Sequence, residues 1–411
     1  MNPIRPDLMH EATRLTRAGR LNEATEVLLR ALGRTAGTGS VPRAAPRPTW
    51  TTVPDLAIAA PPASTPAWTP TAPSAAPALV LEGNVFEQTA RPSTPPRAAE
   101  AGPGAFTAGT HTHASHTLRY KLYIPSAHDG RPLPLVVMLH GCTQDPDDFA
   151  AGTGMNERAR EQGFFVLYPQ QASHANPSAC WNWFKHNHQQ RGRGEPALLA
   201  SLTQAVMRQY GIDPRRVYIA GLSAGGAMAA IVAAAYPELF AAVGVHSGLP
   251  GGAAGNVAEA FALMKGGASG ASLQFKGARF GKAPEVALHP RTPVPTIVFH
   301  GDQDRTVHPR NGEQVLAAAL GEPAGAPLGS SPAGAGRARV EHGVAADGRR
   351  YTRHIHQDEH GRARAEHWLV HGAGHAWSGG QAEGSYTDAA GPDATREMLR
   401  FFFAQAHPPG H

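Results

Sequence analysis

The fold of this chain is decided by Val217-Tyr218-Ile219-Ala220-Gly221-Leu222-Ser223-Ala224-Gly225, a stretch that predicts a buried strand turning sharply into a helix. The apolar residues before Gly221 are typical of a buried strand, and the alanine-rich run over 227–236 predicts the helix. Gly221 and Gly225 let neighbouring segments approach without a clash against a β-carbon. Such a bend exposes its serine in front of a helix N-terminus, so we predict that Ser223 is a nucleophile. A serine that only caps the helix is the alternative.

A serine hydroxyl is a weak nucleophile, so it needs a general base and an acid that orients this base. In hydrolases with this kind of turn, the acid and then the histidine follow the serine along the chain. The apolar run 294–299 predicts a buried strand, and Asp302 and Asp304 follow its end. We expect one of these carboxylates to be the orienting acid, on the same sheet edge as Ser223.

The base is expected in a loop after the next strand. Residues 366–370 predict that strand, and His371 and His375 follow it among glycines. We predict His375 as the base and keep His371 as the alternative. The chain has 22 histidines, yet its His-x-His pairs are not followed by further ligands at a spacing typical of zinc. We therefore expect neither a metal nor another cofactor.

An early apolar strand over 135–139 ends in a His-Gly-Cys sequence. In hydrolases of this architecture, that strand end supplies one N–H donor of the oxyanion hole, and the residue after the nucleophile supplies the other. We therefore assign the backbone N–H groups of Cys142 and Ala224 to the oxyanion hole. The second cysteine of the chain is Cys180. Two cysteines do not establish a disulfide from sequence, so a Cys142–Cys180 bond and two free thiols both stay open.

Several motifs follow one another between about residues 115 and 406. They are Leu139-His140-Gly141-Cys142-Thr143-Gln144, Cys180-Trp181-Asn182-Trp183-Phe184, Gly221-Leu222-Ser223-Ala224-Gly225-Gly226-Ala227-Met228, His300-Gly301-x-x-Asp304 and Gly374-His375-Ala376-Trp377-Ser378-Gly379-Gly380. In this combination the chain resembles the polyhydroxybutyrate depolymerase family of esterases, which is related to feruloyl and acetylxylan esterases. The resemblance implies Ser223 as nucleophile, Asp304 as acid and His375 as base.

The same resemblance bears on the cysteines and the tryptophans. It makes a disulfide between Cys142 and Cys180 plausible. It also implies that Trp181 lines the substrate cleft, where we also expect Trp377. Core packing is the alternative for Trp181 and its neighbour Trp183.

Alternating strand and helix patterns predict an α/β-hydrolase fold with a mostly parallel central sheet and helices on both faces. Strands are expected near 117–124, 135–140, 164–168, 216–220, 241–246, 295–300, 350–357 and 366–370. Helices are expected near 147–162, 195–210, 225–236, 309–320 and 392–405, with a helical pattern also over 253–264.

Two segments precede the catalytic domain, which we place at residues 105–411. A first unit at 1–32 has the apolar spacing of a short helical hairpin over 5–32. This hairpin is expected to dock on a granule surface or a protein partner, or to pack on its own hydrolase or in a dimer. Residues 33–104 contain 14 of the 37 prolines and predict a disordered Pro/Ala-rich linker.

Charge and hydropathy narrow the remaining possibilities. The net charge is +5, but no basic stripe with interleaved aromatic residues supports nucleic-acid binding. No apolar stretch is long enough to span a membrane, and charged residues interrupt 1–20, so we expect no signal-peptide core at the N-terminus. We expect a cytoplasmic protein, although a disulfide would argue for secretion.

These features predict ester hydrolysis through an acyl-enzyme. The resemblance points to polyesters of the poly(3-hydroxybutyrate) type, or their oligomers, as substrates. Feruloyl or acetylxylan esterase activity is the alternative. A binding scaffold, in which the hairpin engages a granule or a partner, is the alternative of another class.

Overall fold

The computed structural model describes residues 102–266, 293–322 and 338–408. The hairpin predicted within 1–32 and all but the end of the linker predicted at 33–104 lie outside the described residues.

Ten strands form one sheet, and two very short strands form a second. The strands are β1 (Ala105–His113), β2 (His116–Ile124), β3 (Leu135–Leu139), β4 (Phe165–Gln170), β5 (Val217–Leu222), β6 (Ala242–His246), β7 (Thr296–Gly301), β8 (Ala338–Val344), β9 (Arg350–Gln357), β10 (Ala363–Val370), β11 (Trp377–Ser378) and β12 (Thr387–Asp388). The large sheet has the order β1-β2-β4-β3-β5-β6-β7-β10-β9-β8. Its central strands from β4 to β10 are parallel, and antiparallel pairs extend both edges. The predicted mostly parallel central sheet is confirmed.

Helices cover both faces of this sheet. They are α1 (Pro146–Thr153), α2 (Met155–Gln162), α3 (Gly194–Tyr210), α4 (Ala224–Ala235), α5 (Val257–Gly266), α6 (Arg310–Ala319) and α7 (Ala394–Phe403). None of these described helices is long and apolar enough to cross a bilayer.

Side-chain alternation along the buried strands builds two hydrophobic cores. Val137 and Leu139 belong to the core under α3 and α4, whereas Val136 and Met138 belong to the core under α1, α2 and α7. Both kinds of residue are fully buried, because a strand with helices on either side exposes neither face. This explains why the parallel strands are continuous apolar runs in the sequence.

The register of the parallel strands aligns their carboxyl ends. Gly221 of β5 lies opposite Leu139 of β3, and Leu222 lies opposite His246 of β6. The loops that follow β3, β5, β6, β7 and β10 therefore start from one sheet edge, where parallel α/β sheets place their sites.

Two local predictions differ from the structure. The single helix predicted over 147–162 is wrong, because Gly154 adopts φ 61° and separates α1 from α2. The sequence pattern also predicts neither β1 nor β8. Both are edge strands whose residues are mostly exposed and polar or small, so they lack the apolar run of a central strand.

Candidate active site

Ser223 lies on a bend between β5 and α4. Its backbone has φ 58° and ψ −119°, which residues other than glycine rarely adopt. Every other residue from Val217 to Ala229 is buried, whereas Ser223 is partly exposed. The bend therefore gives this one serine access to solvent, as the sequence predicts.

The glycines of the bend permit direct contact between backbones. A β-carbon on Gly225 would lie 2.1 Å from the Leu139 carbonyl oxygen, and one on Gly221 would lie 2.4 Å from the Gly225 carbonyl carbon. Neither distance is sterically allowed, so both positions require glycine. Backbone atoms are therefore in direct contact where the ends of β3 and β5 meet the first turn of α4.

Backbone hydrogen bonds join the loops along the carboxyl edge of the sheet. The Ser223 N–H donates to His246 O over 2.9 Å, and the Ser247 N–H donates to Phe299 O over 2.8 Å. Farther along, the Gln303 N–H donates to Ala373 O over 3.0 Å. The serine bend, the acidic loop and the histidine loop thus share one hydrogen-bonded edge.

Asp304 and His375 form a close pair on this edge. His375 Nδ1 lies 2.7 Å from Asp304 Oδ2, and the Asp304 side chain is completely buried. The other carboxylate oxygen, Oδ1, accepts the N–H groups of Thr306 at 2.9 Å and Val307 at 2.8 Å. An ionised carboxylate can only accept, so His375 Nδ1 carries the hydrogen and Nε2 is the basic nitrogen.

Asp304 remains ionised in spite of its burial. Burial alone would raise the pKa of its carboxyl, but hydrogen bonds from His300, His375 and the Val307 N–H outweigh that effect. The pKa of Asp304 consequently lies below its usual range. His300 Nε2 lies 3.4 Å from Asp304 Oδ2 and also contacts Val307 O at 2.8 Å.

The alternative acid and base form a separate pair. His371 Nδ1 lies 2.9 Å from Asp302 Oδ2, and the Gly372 N–H donates to Asp302 Oδ1. His371 Nε2 contacts the Thr352 hydroxyl at 2.9 Å, so both ring nitrogens are engaged. By contrast, His375 Nε2 has no hydrogen-bond partner among the described residues. This difference favours His375 and Asp304 over His371 and Asp302.

The structure does not join the serine to the histidine directly. Across the described ranges, Ser223 Oγ and His375 Nε2 form no hydrogen bond. Catalytic hydrogen bonds are often long in unliganded enzymes and shorten when substrate binds. The arrangement thus provides an imidazole that Asp304 orients, on the same sheet edge as Ser223.

The loop after β3 carries the predicted oxyanion donor Cys142. His140 holds this loop with both ring nitrogens: Nδ1 donates to Gly141 O over 2.8 Å, and Nε2 accepts the Gln171 N–H at 3.1 Å. Gly141 N–H in turn donates to the Gln144 side chain. Neither the Cys142 N–H nor the Ala224 N–H finds an acceptor within the described ranges. Neither amide is thus occupied by an acceptor from the described part of the chain.

Cys142 and Cys180 form a disulfide, as the resemblance suggests. The bond ties the loop after β3 to the segment that follows β4. The Thr143 N–H reinforces this connection by donating to Ser178 O over 2.8 Å. The same loop is thus fixed by a covalent bond and by backbone hydrogen bonds.

Replacing Cys180 by serine should lower the free energy of unfolding while leaving the Cys142 amide in place. The cysteines are 38 residues apart, and the chain-entropy model gives such a cross-link a stabilisation of about 4 kcal/mol, with about 2–4 kcal/mol typical of measurements. Urea denaturation with and without reductant would measure the loss. Reductant should destabilise the original protein and leave the variant unchanged. Equal urea midpoints for the two proteins in the absence of reductant would contradict the prediction.

Glu195 is a structural residue that the motifs do not reveal. Its buried carboxylate, in the first turn of α3, accepts the Asn182 N–H at 2.8 Å, the Asn182 side chain at 2.6 Å and the Gln171 side chain at 2.6 Å. These bonds fix the segment next to Cys180. A glutamate near a helix N-terminus is so ordinary that the sequence carries no signal for this role.

The two tryptophans assigned to a substrate cleft are both interior residues. Trp181 is 0% exposed and donates its indole N–H to His140 O over 3.2 Å. Trp377 is 1% exposed and donates to the Thr395 hydroxyl over 3.0 Å. Their burial favours the packing role kept as the alternative for Trp181. A place in the cleft stays a prediction for both.

Residues 102–266, 293–322 and 338–408 contain no group of three or more His, Cys, Asp or Glu side chains arranged to hold a metal ion. The paired histidines of the site are instead engaged by carboxylates, hydroxyls and backbone atoms.

Curated relatives of this chain include a polyester depolymerase and an acetylxylan esterase. The chain is 35% identical over 184 residues to poly(3-hydroxyalkanoate) depolymerase C of Paucimonas lemoignei, covering 44% of this chain and 43% of that protein. It is 30% identical over 214 residues to probable acetylxylan esterase A of Aspergillus fumigatus, covering 49% of this chain and 53% of that protein. The chain thus spans about half the length of these curated relatives.

A solved structure shares the fold. The acetyl xylan esterase from Aspergillus awamori matches with a TM-score of 0.52 and 19% identity, covering 72% of this chain and 99% of that chain. At this identity the likeness concerns the fold alone. It confirms the predicted α/β-hydrolase fold.

The family match covers most of the site described above. The family model described as esterase PHB depolymerase matches residues 118–340, which is more than half of the 411 residues. The matched range includes Cys142, Ser223 and Asp304 and ends before His375. A match of this extent shows that the chain belongs to the esterase PHB depolymerase family, as its motifs predict.

Proposed function

We propose that this protein is a serine carboxylic ester hydrolase that acts through an acyl-enzyme. The observation that carries the proposal is the 2.7 Å contact between His375 and a buried, ionised Asp304 on the sheet edge of Ser223. Ser223 Oγ attacks the ester carbonyl while His375 Nε2 takes its proton. The proton then passes to the leaving alkoxide, which departs as an alcohol. Water, activated by the same base, attacks the acyl carbon and releases the acid with Ser223 restored.

The proposed oxyanion hole consists of the Cys142 and Ala224 amides. Negative charge develops on the carbonyl oxygen as the tetrahedral intermediate forms, and fixed N–H donors stabilise that charge. Each such donor typically contributes about 10²–10³-fold to turnover. The disulfide at Cys142 and the glycine contact at Gly225 support this role, because they hold the two donors without mobile side chains.

We propose polyesters of the poly(3-hydroxybutyrate) type, or their oligomers, as substrates. Family membership and the 35% identity to poly(3-hydroxyalkanoate) depolymerase C support this assignment. Acetylxylan or feruloyl ester hydrolysis is the second candidate. It is favoured by the 30% identity to a probable acetylxylan esterase, which extends over a larger share of this chain.

A binding scaffold explains the site less well. A scaffold has no need of a buried carboxylate that is held ionised beside a histidine, since burying such a charge costs folding free energy. The Asp304–His375 pair therefore supports catalysis. The docking role predicted for residues 5–32 rests on sequence alone, because those residues lie outside the described ranges.

The location of the protein is open to a separate test. The Cys142–Cys180 disulfide is of a kind that persists in oxidising compartments and favours a location outside the cytosol, contrary to the cytoplasmic expectation. Alkylation of the protein as it is isolated from its host would distinguish the two: unmodified cysteines indicate an oxidised bond, and two alkylated thiols indicate a reducing compartment.

The proposed activity predicts covalent labelling at one serine. It also predicts a ranking of hydrolysis rates among ester substrates. A fluorophosphonate should add once to the native protein, on the peptide that contains Ser223. Product analysis on poly(3-hydroxybutyrate), feruloyl esters and acetylated xylan, under matched conditions, should give the fastest release from the polyester. Heat-denatured protein, which has lost the Asp304–His375 geometry, is the control and should not be labelled.

Different outcomes separate the claims. Folded protein that takes no label and hydrolyses no ester would favour the scaffold. Labelling with release of acetate or ferulate, but no release from polyester, would retain the mechanism and replace the substrate.

A further inference from the structure

His246 lies between the two proposed reactive residues. It is the last residue of β6, next to β5 on one side and β7 on the other, and it is 2% exposed. Its carbonyl oxygen accepts the N–H of Ser223 at 2.9 Å. The main chain of His246 is thus already part of the support under the nucleophile bend.

The His246 side chain reaches the other loop. Its Nε2 accepts the N–H of Ser378 at 2.9 Å, three residues after the proposed base His375. Its Nδ1 lies 3.2 Å from the Ser247 hydroxyl, so the ring hydrogen resides there. One residue therefore holds the nucleophile bend through its backbone and the histidine loop through its imidazole.

Aromatic packing fixes the plane of this imidazole. The ring stacks on Phe299 at 5.8 Å with an interplanar angle of 12°, and on Trp377 at 5.0 Å with an angle of 25°. Trp377 is adjacent to Ser378, so the His246 ring contacts the same short strand, β11, by stacking and by hydrogen bonding. The interior position given above for Trp377 follows from this contact.

The His246 imidazole is neutral near pH 7 and so keeps an acceptor nitrogen. Burial lowers the pKa of His246 to about 3, with smaller contributions from His300 and His375 that outweigh the opposing effect of Asp304. A neutral ring retains a lone pair on Nε2, whereas a protonated ring would repel the Ser378 N–H. The bond to Ser378 is therefore a constant part of the folded protein.

We propose that His246 is a positioning residue that sets the distance between Ser223 and His375, an inference that rests on the function proposed above. The histidine loop contains Gly372 and Gly374, and no helix or strand lies between the end of β10 and the start of β11, so its backbone depends on such external bonds. Proton transfer from serine to histidine is sensitive to small displacements, since an error of about 1 Å can cost roughly 10²-fold in rate. His246 acts on that distance without touching the substrate.

The test replaces the ring nitrogen while retaining the ring. His246→Phe preserves stacking on Phe299 and Trp377 and removes the acceptor for Ser378. We expect kcat to fall about 10- to 100-fold, with KM changed by less than about threefold because substrate contacts are untouched. His246→Gln, whose side-chain carbonyl can accept the same N–H, should recover most of the lost kcat.

A second buried histidine provides the matched control. His367 in β10 is also 2% exposed, also has a pKa lowered to about 3 by burial, and stacks on His354. Its Nε2 has no hydrogen-bond partner within the described residues. His367→Phe should therefore leave kcat within about twofold, because no positioning bond is lost.

The outcomes distinguish this inference from the function on which it rests. Folded His246→Phe with the kcat of the original protein would overturn the positioning role, and so would a Gln variant as impaired as the Phe variant. If His246→Phe does not fold, His246→Met and His246→Gln decide, since they have similar length and only Gln carries a strong acceptor; equal kcat values would reject the role. An original protein without esterase activity or fluorophosphonate labelling would instead remove the proposed function itself.

Discussion

Alanine at position 223 is expected to lower kcat for 4-nitrophenyl butyrate by roughly 10⁶-fold, the size of effect measured when a serine protease loses its nucleophile. The methyl group cannot attack the ester, whereas the oxyanion donors and the binding surface remain. Stability should change little, because alanine at φ 58° is as strained as serine and the Ser223 N–H bond to His246 O is retained. Steady-state kinetics and thermal unfolding of the same preparation would measure both quantities.

Ser201 supplies a matched serine control for this experiment. It lies on α3, and its hydroxyl contacts His111 Nε2 at 2.9 Å. Ser201→Ala should leave kcat within about twofold, as is usual for a substitution away from the site. If Ser223→Ala retained the activity of the original protein, Ser223 would not be the nucleophile, and the nucleophile would have to be sought elsewhere.

Asparagine at position 304 is expected to lower kcat by about 10⁴-fold, as it does when the orienting acid of a serine protease triad is replaced. The amide can offer its NH₂ group to His375 Nδ1, which selects the tautomer with the hydrogen on Nε2. That nitrogen then cannot accept the proton of Ser223. Comparing kcat at saturating substrate with the labelling rate by a fluorophosphonate would show that both fall together.

The second carboxylate–imidazole pair, Asp302 and His371, provides a control for this prediction. Asp302→Asn disturbs a similar carboxylate–imidazole contact of 2.9 Å, but Nε2 of His371 contacts the Thr352 hydroxyl. Its kcat should stay within about threefold of the original. The reverse ranking, with Asp302→Asn inactive and Asp304→Asn active, would assign the orienting role to Asp302.

The bend at Ser223 could be predicted because all of its requirements are local. The strand, the glycines and the following helix are adjacent in sequence, so periodicity and residue type suffice. Asp304 and His375 could be predicted for a related reason. Each follows a buried strand, and the carboxyl ends of parallel strands meet at one edge. Topology and chain order alone left Asp302 open as the acid, and the family resemblance selected Asp304, which lies 2.7 Å from His375 in the structure.

Contacts between distant segments that lack a recognisable motif could not be predicted. The Glu195 carboxylate binds Asn182 and Gln171, and nothing in the local sequence of α3 indicates those partners. The edge strands β1 and β8 were not predicted for a different reason. Each pairs with a neighbour along one side only and shows no continuous apolar run. Their existence depends on a neighbouring strand rather than on their own residues.

His246 belongs between these two cases. A histidine at the end of an otherwise apolar buried strand is a visible signal, and His140 and His300 occupy similar places after or within β3 and β7. All three are at most 2% exposed. The signal indicates a buried, hydrogen-bonded imidazole at the carboxyl edge, but the identity of its partner, Ser378, depends on how the later loop returns to the sheet.

The main-chain contact between Gly225 and the Leu139 carbonyl fixes the nucleophile bend against the end of β3. Since no side chain takes part, the spacing between the serine and the Cys142 amide is inherited with the fold itself. The side chains around the reactive centre therefore have no part in setting this spacing. A single added methyl group at position 225, by contrast, would disarm the catalyst for every ester at once.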